Sequence, residues 1–479
     1  MRHEAEIEAT ALVGSTPVVA GSQTSVLLVP DNLIAFALRV LSARMATRTL
    51  DLQYYAWKED VTGWLLAREV LHAADRGVRV RLLLDDLYVR ASERALSALS
   101  QHPSIEIRLF NPFQFRSCGA LGRAVEFLAA SYRVNRRMHN KAWIVDGTFL
   151  VGGGRNIGDE YFDASSQFNF RDLDLAMSGA VTRQATAMFQ RYWTDRRVRP
   201  IEQVAVSRPS PHGVDELRRR LDDAAGSAPA TDYLQRLHAL PELDELLGEA
   251  RVLLAADKIR IVADPPGKSL GRRRAPGVLG AVRDAGGGAQ ERVLLVSPYF
   301  VPGGRGTRLL TTLLRRGVKV SLLTNSLAAT DVLAVHGGYA RYRKRLLRAG
   351  IELYELKRGG QEGRSLFGSG GASLHTKAFA VDGKLTFVGS FNLDPRSANL
   401  NTEMGAFVED ARLAGQLRQE YDRLTDPARS WTIRLQNRQL TWHGHVEGQM
   451  SVLHGEPGAS LTRRILARIL GWLPIEPQL

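Results

Sequence analysis

The chain has a single cysteine, Cys118, in 479 residues. That excludes an intrachain disulfide and any metal site built on cysteine. Lysine is also scarce, with 9 lysines against 55 arginines. No window holds the roughly 18 uncharged apolar residues that a membrane-spanning helix needs. The first residues carry Glu4, Glu6 and Glu8 ahead of any apolar run, so they lack the basic start and unbroken apolar core of a signal peptide. If a membrane matters, the chain is expected to sit on it rather than cross it.

What is present is a net charge of +14 and a hydrophobic fraction of 44%. That fraction is ample for buried cores, and the length predicts two or three domains. The charge favours an anionic partner: nucleic acid, an anionic membrane surface or a phosphate-bearing substrate. A general preference for Arg over Lys explains part of it, so charge alone does not choose among them.

Along the chain, apolar runs of strand length alternate with segments of helical spacing. Strands are expected at 26–29, 50–55, 78–84 and 105–110, with helices over 32–47 and 61–75. The order then recurs: Val293–Phe300 matches Leu50–Trp57 in type, Val318–Thr324 matches Val78–Leu84, and Ile351–Leu356 matches Ile105–Phe110. Two similar units of about 200 residues follow, each a sheet covered by helices. Between them, 201–256 reads as a polar helical linker. Residues 265–290, with Arg272-Arg273-Arg274 and Gly286-Gly287-Gly288, read as a surface loop.

Each unit ends on the same string. Met138-His139-Asn140-Lys141 runs to Asp146-Gly147, and Leu374-His375-Thr376-Lys377 runs to Asp382-Gly383. In both, His-x-Lys is followed by Asp, and an Asn stands ten residues after that Asp: Asn156 and Asn392. Chance supplies about 0.01 such His-x-Lys-x4-Asp strings per chain of this composition. The Lys is chosen in a chain that otherwise prefers Arg, which calls for a compact ammonium.

In an extended segment, residues i and i+2 share a face. His139 and Lys141 therefore project together, as do His375 and Lys377. If the two units pack about a pseudo-twofold axis, both pairs converge on one site. Two ammonium groups, joined by the Asn156 and Asn392 amides, suit the non-bridging oxygens of a phosphoryl group. One imidazole can attack phosphorus, and the other can protonate the leaving alkoxide and later deprotonate the acceptor. This scheme requires one imidazole neutral and one protonated, with environments that push their pKa values apart. Candidate carboxylates for the imidazoles are Asp172 or Asp174, and Glu403. Asp146 and Asp382 complete the catalytic motif, and are expected to hold its own turn by hydrogen bonds. No metal and no cofactor is required.

These strings resemble the signature of the phospholipase D superfamily. The passages around Leu50–Tyr55, Asn135–Lys141, Gly153–Phe162, Asn325–Asp331 and Phe387–Ser397 further resemble the bacterial cardiolipin synthases of the C type. The resemblance implies an α/β fold of two homologous halves, each a mixed sheet flanked by helices, with the active site at their pseudo-twofold interface. It implies His139 as nucleophile and His375 as general acid/base. Glu403 would partner His139 and Asp172 would partner His375, across the interface; Asp174 matches the family pattern less well. The implied reaction is phosphatidyl transfer through a phosphatidyl-histidine. It would make cardiolipin from phosphatidylglycerol with a second phosphatidylglycerol or with phosphatidylethanolamine. Hydrolysis of a phospholipid, or of nucleic acid, is the alternative open to the same chemistry, and a catalytically dead binding protein is a third.

The expected organisation is an N-terminal extension (1–23), a first half (24–200), a helical linker (201–256), a second half (257–450) and a basic amphipathic C-terminal segment (451–479). The expected partner is an anionic phospholipid membrane and not nucleic acid, at the cytoplasmic face of the bacterial cytoplasmic membrane. In the last segment Ser460 is the expected N-cap of a helix with Leu461, Ile465, Ile469 and Trp472 on one face and Arg464 and Arg468 on another. Such a helix either lies in a bilayer interface or docks on the protein's own core. One departure from the family pattern is Gly154, which stands where a Ser commonly follows the Gly. A second is the missing pair of N-terminal membrane helices.

Overall fold

The computed structural model of the chain describes residues 24–206, 209–240, 254–256, 258–270, 277–359 and 372–479. The expected N-terminal extension, the Arg272-Arg273-Arg274 run and part of the expected linker lie outside these residues.

The first half contributes β1 (Ser25–Val29), β2 (Thr49–Tyr54), β3 (Arg79–Asp85), β4 (Ile105–Phe110), β5 (Ala142–Val145), β6 (Phe149–Gly153), β7 (Asn169–Arg171), β8 (Asp174–Ser178) and β9 (Val198–Pro200), followed by β10 (Leu254–Ala255). Apart from β7 they form one sheet, in the order β10-β1-β8-β6-β5-β2-β3-β4-β9. The second half contributes β11 (Ile259–Ala263), β12 (Arg292–Val296), β13 (Lys319–Asn325), β14 (Glu352–Leu356), β15 (Ala372–Leu374), β16 (Ala378–Val381), β17 (Leu385–Gly389), β18 (Met404–Glu409) and β19 (Ser430–Gln436). A hairpin of β20 (Gln439–Val446) and β21 (Gln449–Leu453) then extends its edge. That sheet runs β11-β18-β17-β16-β12-β13-β14-β19-β20-β21.

From β1 to β9 and from β11 to β19 the spatial order is the same, so the repeat in sequence is a repeat in topology. In each half the three central strands pair in parallel (β2-β3-β4 and β12-β13-β14) and the others antiparallel, which makes both sheets mixed. The parallel strands need helical crossovers, and these cover the sheets. The first crossover, Val61–Asp75, starts where Asp60 accepts a hydrogen bond from the Gly63 N–H, a side-chain N-cap.

One face of each sheet is turned to the other half. Leu150, Leu175 and Met177 share a core with Val388, Met404 and Ala406. The opposite face of the first sheet packs on its helices. The helices Gly213–Ala225 and Ala228–His238 supply Leu217, Leu221 and Tyr233 to that core, so these linker helices belong structurally to the first half.

One sequence-based expectation needs correction, and one pair of alternatives can be compared with the structure. Residues 265–290 are not a plain surface loop. Lys268 is buried, donating to the Asp264 carboxylate and to the Ser397 carbonyl, and Val278–Gly287 is an α-helix that ends on Gly286-Gly287, with Gly288 as its C-cap. The C-terminal helix, Leu461–Trp472, docks on the second half, one of the two alternatives expected for it, but not by its apolar stripe. Ser460 caps it as expected. It docks through its small residues, with Ala467 and Gly471 against Gly337, where an added Cβ would lie 2.4 Å from the Ala467 carbonyl oxygen. The docking leaves Leu461, Ile465, Ile469 and Trp472 exposed, Trp472 at 79%.

Candidate active site

Each motif is an approach segment, a strand, a two-residue turn and a second strand. The turns are Asp146-Gly147 and Asp382-Gly383, and all four residues have φ between 51° and 66°. Asp-Gly accepts this left-handed backbone, which matches the twist of the flanking strands β5–β6 and β16–β17. Contrary to the expectation from sequence, the aspartates do not hold their own turns by side-chain hydrogen bonds. Asp146 accepts from the backbone N–H groups of Thr47, Arg48 and Thr49 at the start of β2. Asp382 accepts from those of Gln290, Glu291 and Arg292 at the start of β12. Each thereby pins its hairpin to the neighbouring central strand, at the end of β5 or β16 remote from the motif His.

The approach segments are held in two ways. From within its own half, the Asp85 carboxylate at the end of β3 accepts the Met138 N–H at 2.8 Å. The equivalent Asn325 at the end of β13 accepts the Leu374 N–H and donates to its carbonyl. From the opposite half, the His139 N–H donates to the Thr402 carbonyl at 2.9 Å, and the Thr402 N–H donates back to Arg137. In the other direction β15 pairs with β7, and the His375 N–H donates to the Arg171 carbonyl at 2.8 Å.

These short ladders across the interface explain the carboxylate partners. The residue after Thr402 is Glu403, and its Oε2 lies 2.9 Å from His139 Nδ1. The residue after Arg171 is Asp172, and its Oδ2 lies 2.6 Å from His375 Nδ1. Asp174 is excluded as a partner because it is buried against Arg39 and Arg155. An ionised carboxylate on Nδ1–H leaves Nε2 unprotonated in the neutral ring.

Both histidines, Lys141, Lys377, Asn156 and Asn392 are buried. Each lysine donates back to the carbonyl of the motif His two residues earlier. Burial, followed by the charges of Lys141 and Lys377, pushes both imidazoles well below the ordinary histidine range. The two are therefore displaced in the same direction, not apart as the sequence argument required. Burial also lowers both lysines, Lys377 to about 8, and raises Glu403 to about 7 and Asp172 above its ordinary value.

The Oδ1 atoms of Asn156 and Asn392 are buried without a protein partner. Asn156 Nδ2 meets the Tyr161 hydroxyl at 2.9 Å. With that amide turned over, Tyr161 donates to Oδ1 and Nδ2 becomes available to an anion.

Sequence reasoning missed the aromatic walls and Ser390. Tyr55 stands edge-on to His139 with centroids 5.0 Å apart, and Tyr161 and Phe170 pack on His375 at 5.2 and 4.8 Å. The signal for Tyr55 was its place after β2, where Tyr299 recurs after β12. The Ser390 hydroxyl donates to the Glu403 carboxylate. The matching position is Gly154, where an added Cβ would lie 2.2 Å from Asp172 Oδ1 and 2.6 Å from Oδ2. The Gly is thus a steric consequence of the shorter acid, whose carboxylate occupies the space of a side chain at 154. Gly154→Ser should displace Asp172 and lower turnover, and the overpacking should cost about 1–3 kcal/mol of stability, read as a drop in melting temperature. Wild-type turnover and melting in that variant would show that the carboxylate moves at no cost.

Comparison with known proteins follows the same division into halves. A family model described as "Cardiolipin synthase, PLD-like domain" matches residues 42–193 and 286–425, one motif in each segment. Cardiolipin synthase C of Escherichia coli is 42% identical over 455 residues, covering 93% of this chain and 94% of that protein. A cardiolipin synthase of Halalkalibacterium halodurans is 25% identical over 402 residues, covering 83% of this chain and 64% of that protein. The crystal structure of phosphatidylserine synthase from Haemophilus influenzae superposes with a TM-score of 0.62 at 13% identity, covering 99% of this chain and all of that one, a likeness of fold.

Proposed function

Because the chain belongs to the cardiolipin synthase, phospholipase D-like family, we propose that it is a phosphatidyltransferase that makes cardiolipin from two phospholipids. The observation that carries the mechanism is the pair of His–carboxylate contacts across the interface, with a lysine beside each His. Glu403 keeps the proton of His139 on Nδ1, so the Nε2 lone pair attacks phosphorus. The P–N bond forms as the P–O bond to the head alcohol breaks, and His375 Nε2–H gives its proton to the departing alkoxide. The hydroxyl of phosphatidylglycerol then loses its proton to His375 and attacks phosphorus, breaking the P–N bond. Lys141, Lys377, Asn156 and Asn392 stabilise the phosphoryl oxygens in both steps. In the empty site both imidazoles are neutral, and an arriving phosphodiester anion offsets the lysine charges and draws a proton to His375.

The donor is phosphatidylglycerol or phosphatidylethanolamine, and the protein works on the surface of an anionic membrane at the cytoplasmic face. No helix among the described residues is long and apolar enough to cross a membrane. The exposed Leu461, Ile465, Ile469 and Trp472 supply an interfacial anchor instead. Replacing these four by Ser should weaken vesicle binding at least tenfold, each large apolar side chain being worth on the order of 1 kcal/mol or more; unchanged sedimentation with vesicles would remove the anchor.

The reaction is tested with pure protein in mixed micelles of phosphatidylglycerol, with and without phosphatidylethanolamine. Cardiolipin should appear with free glycerol, or with ethanolamine when that donor is used. Phosphatidic acid as the sole lipid product would overturn transfer in favour of hydrolysis.

The pH profile follows from the same groups. As pH falls through about 7, Glu403 takes up a proton and no longer fixes the His139 tautomer. As pH rises through about 8, Lys377 loses the charge that holds the phosphoryl group. The kcat/KM for a soluble short-chain phosphatidylglycerol should therefore be greatest between these values. A flat profile from pH 6 to 10 would contradict both assignments.

A further inference from the structure

We infer that the chain has a second phosphate site, outside the catalytic cleft, that takes the headgroup phosphate of an anionic phospholipid. A cavity of about 700 Å³ lies at the edge of the first sheet, where the chain leaves β4 and enters β9. Its lining includes Arg116, Arg133, Arg196, Arg197 and Arg199, and no acidic residue. None of the motif residues lines it.

The charges there are only partly matched. Arg116 pairs with Asp86 and Glu93, Arg133 with Glu126, and Arg197 with Asp195. Arg196 and Arg199 have no carboxylate within ion-pair distance among the described residues; Arg199 donates to the backbone carbonyls of Arg196 and Val198. Two guanidinium groups in a concave basic lining suit a phosphate, which they meet with paired N–H donors.

A second observation identifies the source of that phosphate. The helix Gly119–Ala129 begins three residues after Arg116. Leu121, Val125 and Leu128 form a stripe along it at i, i+4 and i+7, and Leu121 and Leu128 are 75% and 82% exposed. Phe115 and Tyr132, on either side of the helix, are exposed too. An apolar stripe beside a basic cavity serves a lipid, whose acyl chains and phosphate need both. Free phosphate has no use for the leucines, nor has nucleic acid.

The segments flanking the helix connect to the catalytic half-site. Arg116 binds Asp86, the neighbour of the Asp85 that holds the His139 approach. Asn135, at the far end of the same segment, donates to Gln478 in the chain's C-terminal turn. That contact ties the segment beside the cavity to the C-terminal turn that follows the C-terminal helix.

The test is vesicle flotation of the full chain carrying Arg196→Ala and Arg199→Ala. Vesicles of phosphatidylglycerol and phosphatidylcholine (3:7) are compared with pure phosphatidylcholine. Binding to the anionic vesicles should fall on the order of tenfold or more, with none of that change on the neutral ones. Turnover of monomeric dihexanoyl-phosphatidylglycerol should be unchanged. Arg196→Lys with Arg199→Lys should retain most of the binding, which separates loss of charge from misfolding. The control is Arg315→Ala with Arg348→Ala, the same charge change at the ends of two second-half helices. An equal loss in that control would overturn the site. Competition for anionic vesicles by millimolar inorganic phosphate would overturn its assignment to lipid, and competition by a single-stranded oligonucleotide would reassign it to nucleic acid. The readout is binding rather than turnover, so this inference and the catalytic reading can fail separately.

Discussion

His139→Ala is expected to lower turnover by about 10⁴-fold or more, the scale of losing a nucleophile, and to abolish the covalent intermediate. The reason lies in how tightly this ring is defined. Its backbone N–H is bound to Thr402, its Nδ1 is 2.9 Å from Glu403, and Tyr55 packs edge-on to it. Only its Nε2 is left to react. His375→Ala should behave differently: the nucleophile remains, so a substrate whose leaving alcohol needs no proton should still load the enzyme and then stall. Mass spectrometry of alkali-quenched enzyme distinguishes the two, because a P–N bond survives base. A phosphatidyl adduct persisting on His139→Ala, or absent from His375→Ala with such a substrate, would reverse the roles.

Glu403→Gln is the second large effect, a loss of about 10²–10⁴ in kcat. An amide is nearly isosteric with the acid but can donate to Nδ1, which places the imidazole proton on Nε2 and blocks attack. The same change removes a carboxylate whose charge supports the Lys141 ammonium against burial. Two consequences separate this from a loss of stability. The acid limb of the pH profile should vanish with Glu403, and short-chain substrate binding should weaken along with kcat. Asp172→Asn should act on the other half-reaction through His375, at 2.6 Å. If Glu403→Gln kept wild-type kcat, the contact across the interface would be structural only.

Much of this was legible in the chain, for definite reasons. The helix Val61–Asp75 falls on the predicted bounds because its apolar period and its Asp60 cap are local. The duplicated strand order was readable because each parallel core strand is an apolar run, and four of the six, β3, β12, β13 and β14, follow a Gly within a few residues. The loop predicted over 265–290 failed because Gly and Pro were read as punctuation, while Lys268 is drawn inside by Asp264 and the following helix packs Val278 into the core.

The two motifs, the choice of Lys in an Arg-rich chain and the phosphodiester chemistry they imply come from the sequence alone, because residue type and spacing carry them. Three things were decided only in three dimensions. Asp172 rather than Asp174 meets His375, because β7 runs alongside β15 and turns the next residue to the imidazole while Asp174 is taken by two arginines. Gly154 is required because Asp172 fills the space above it. Both imidazoles are pushed in one direction, because burial acts on both and each feels both lysines. The first and third effects bring together groups more than 200 residues apart, and the second sets two strands of one sheet side by side; local spacing carries no record of either.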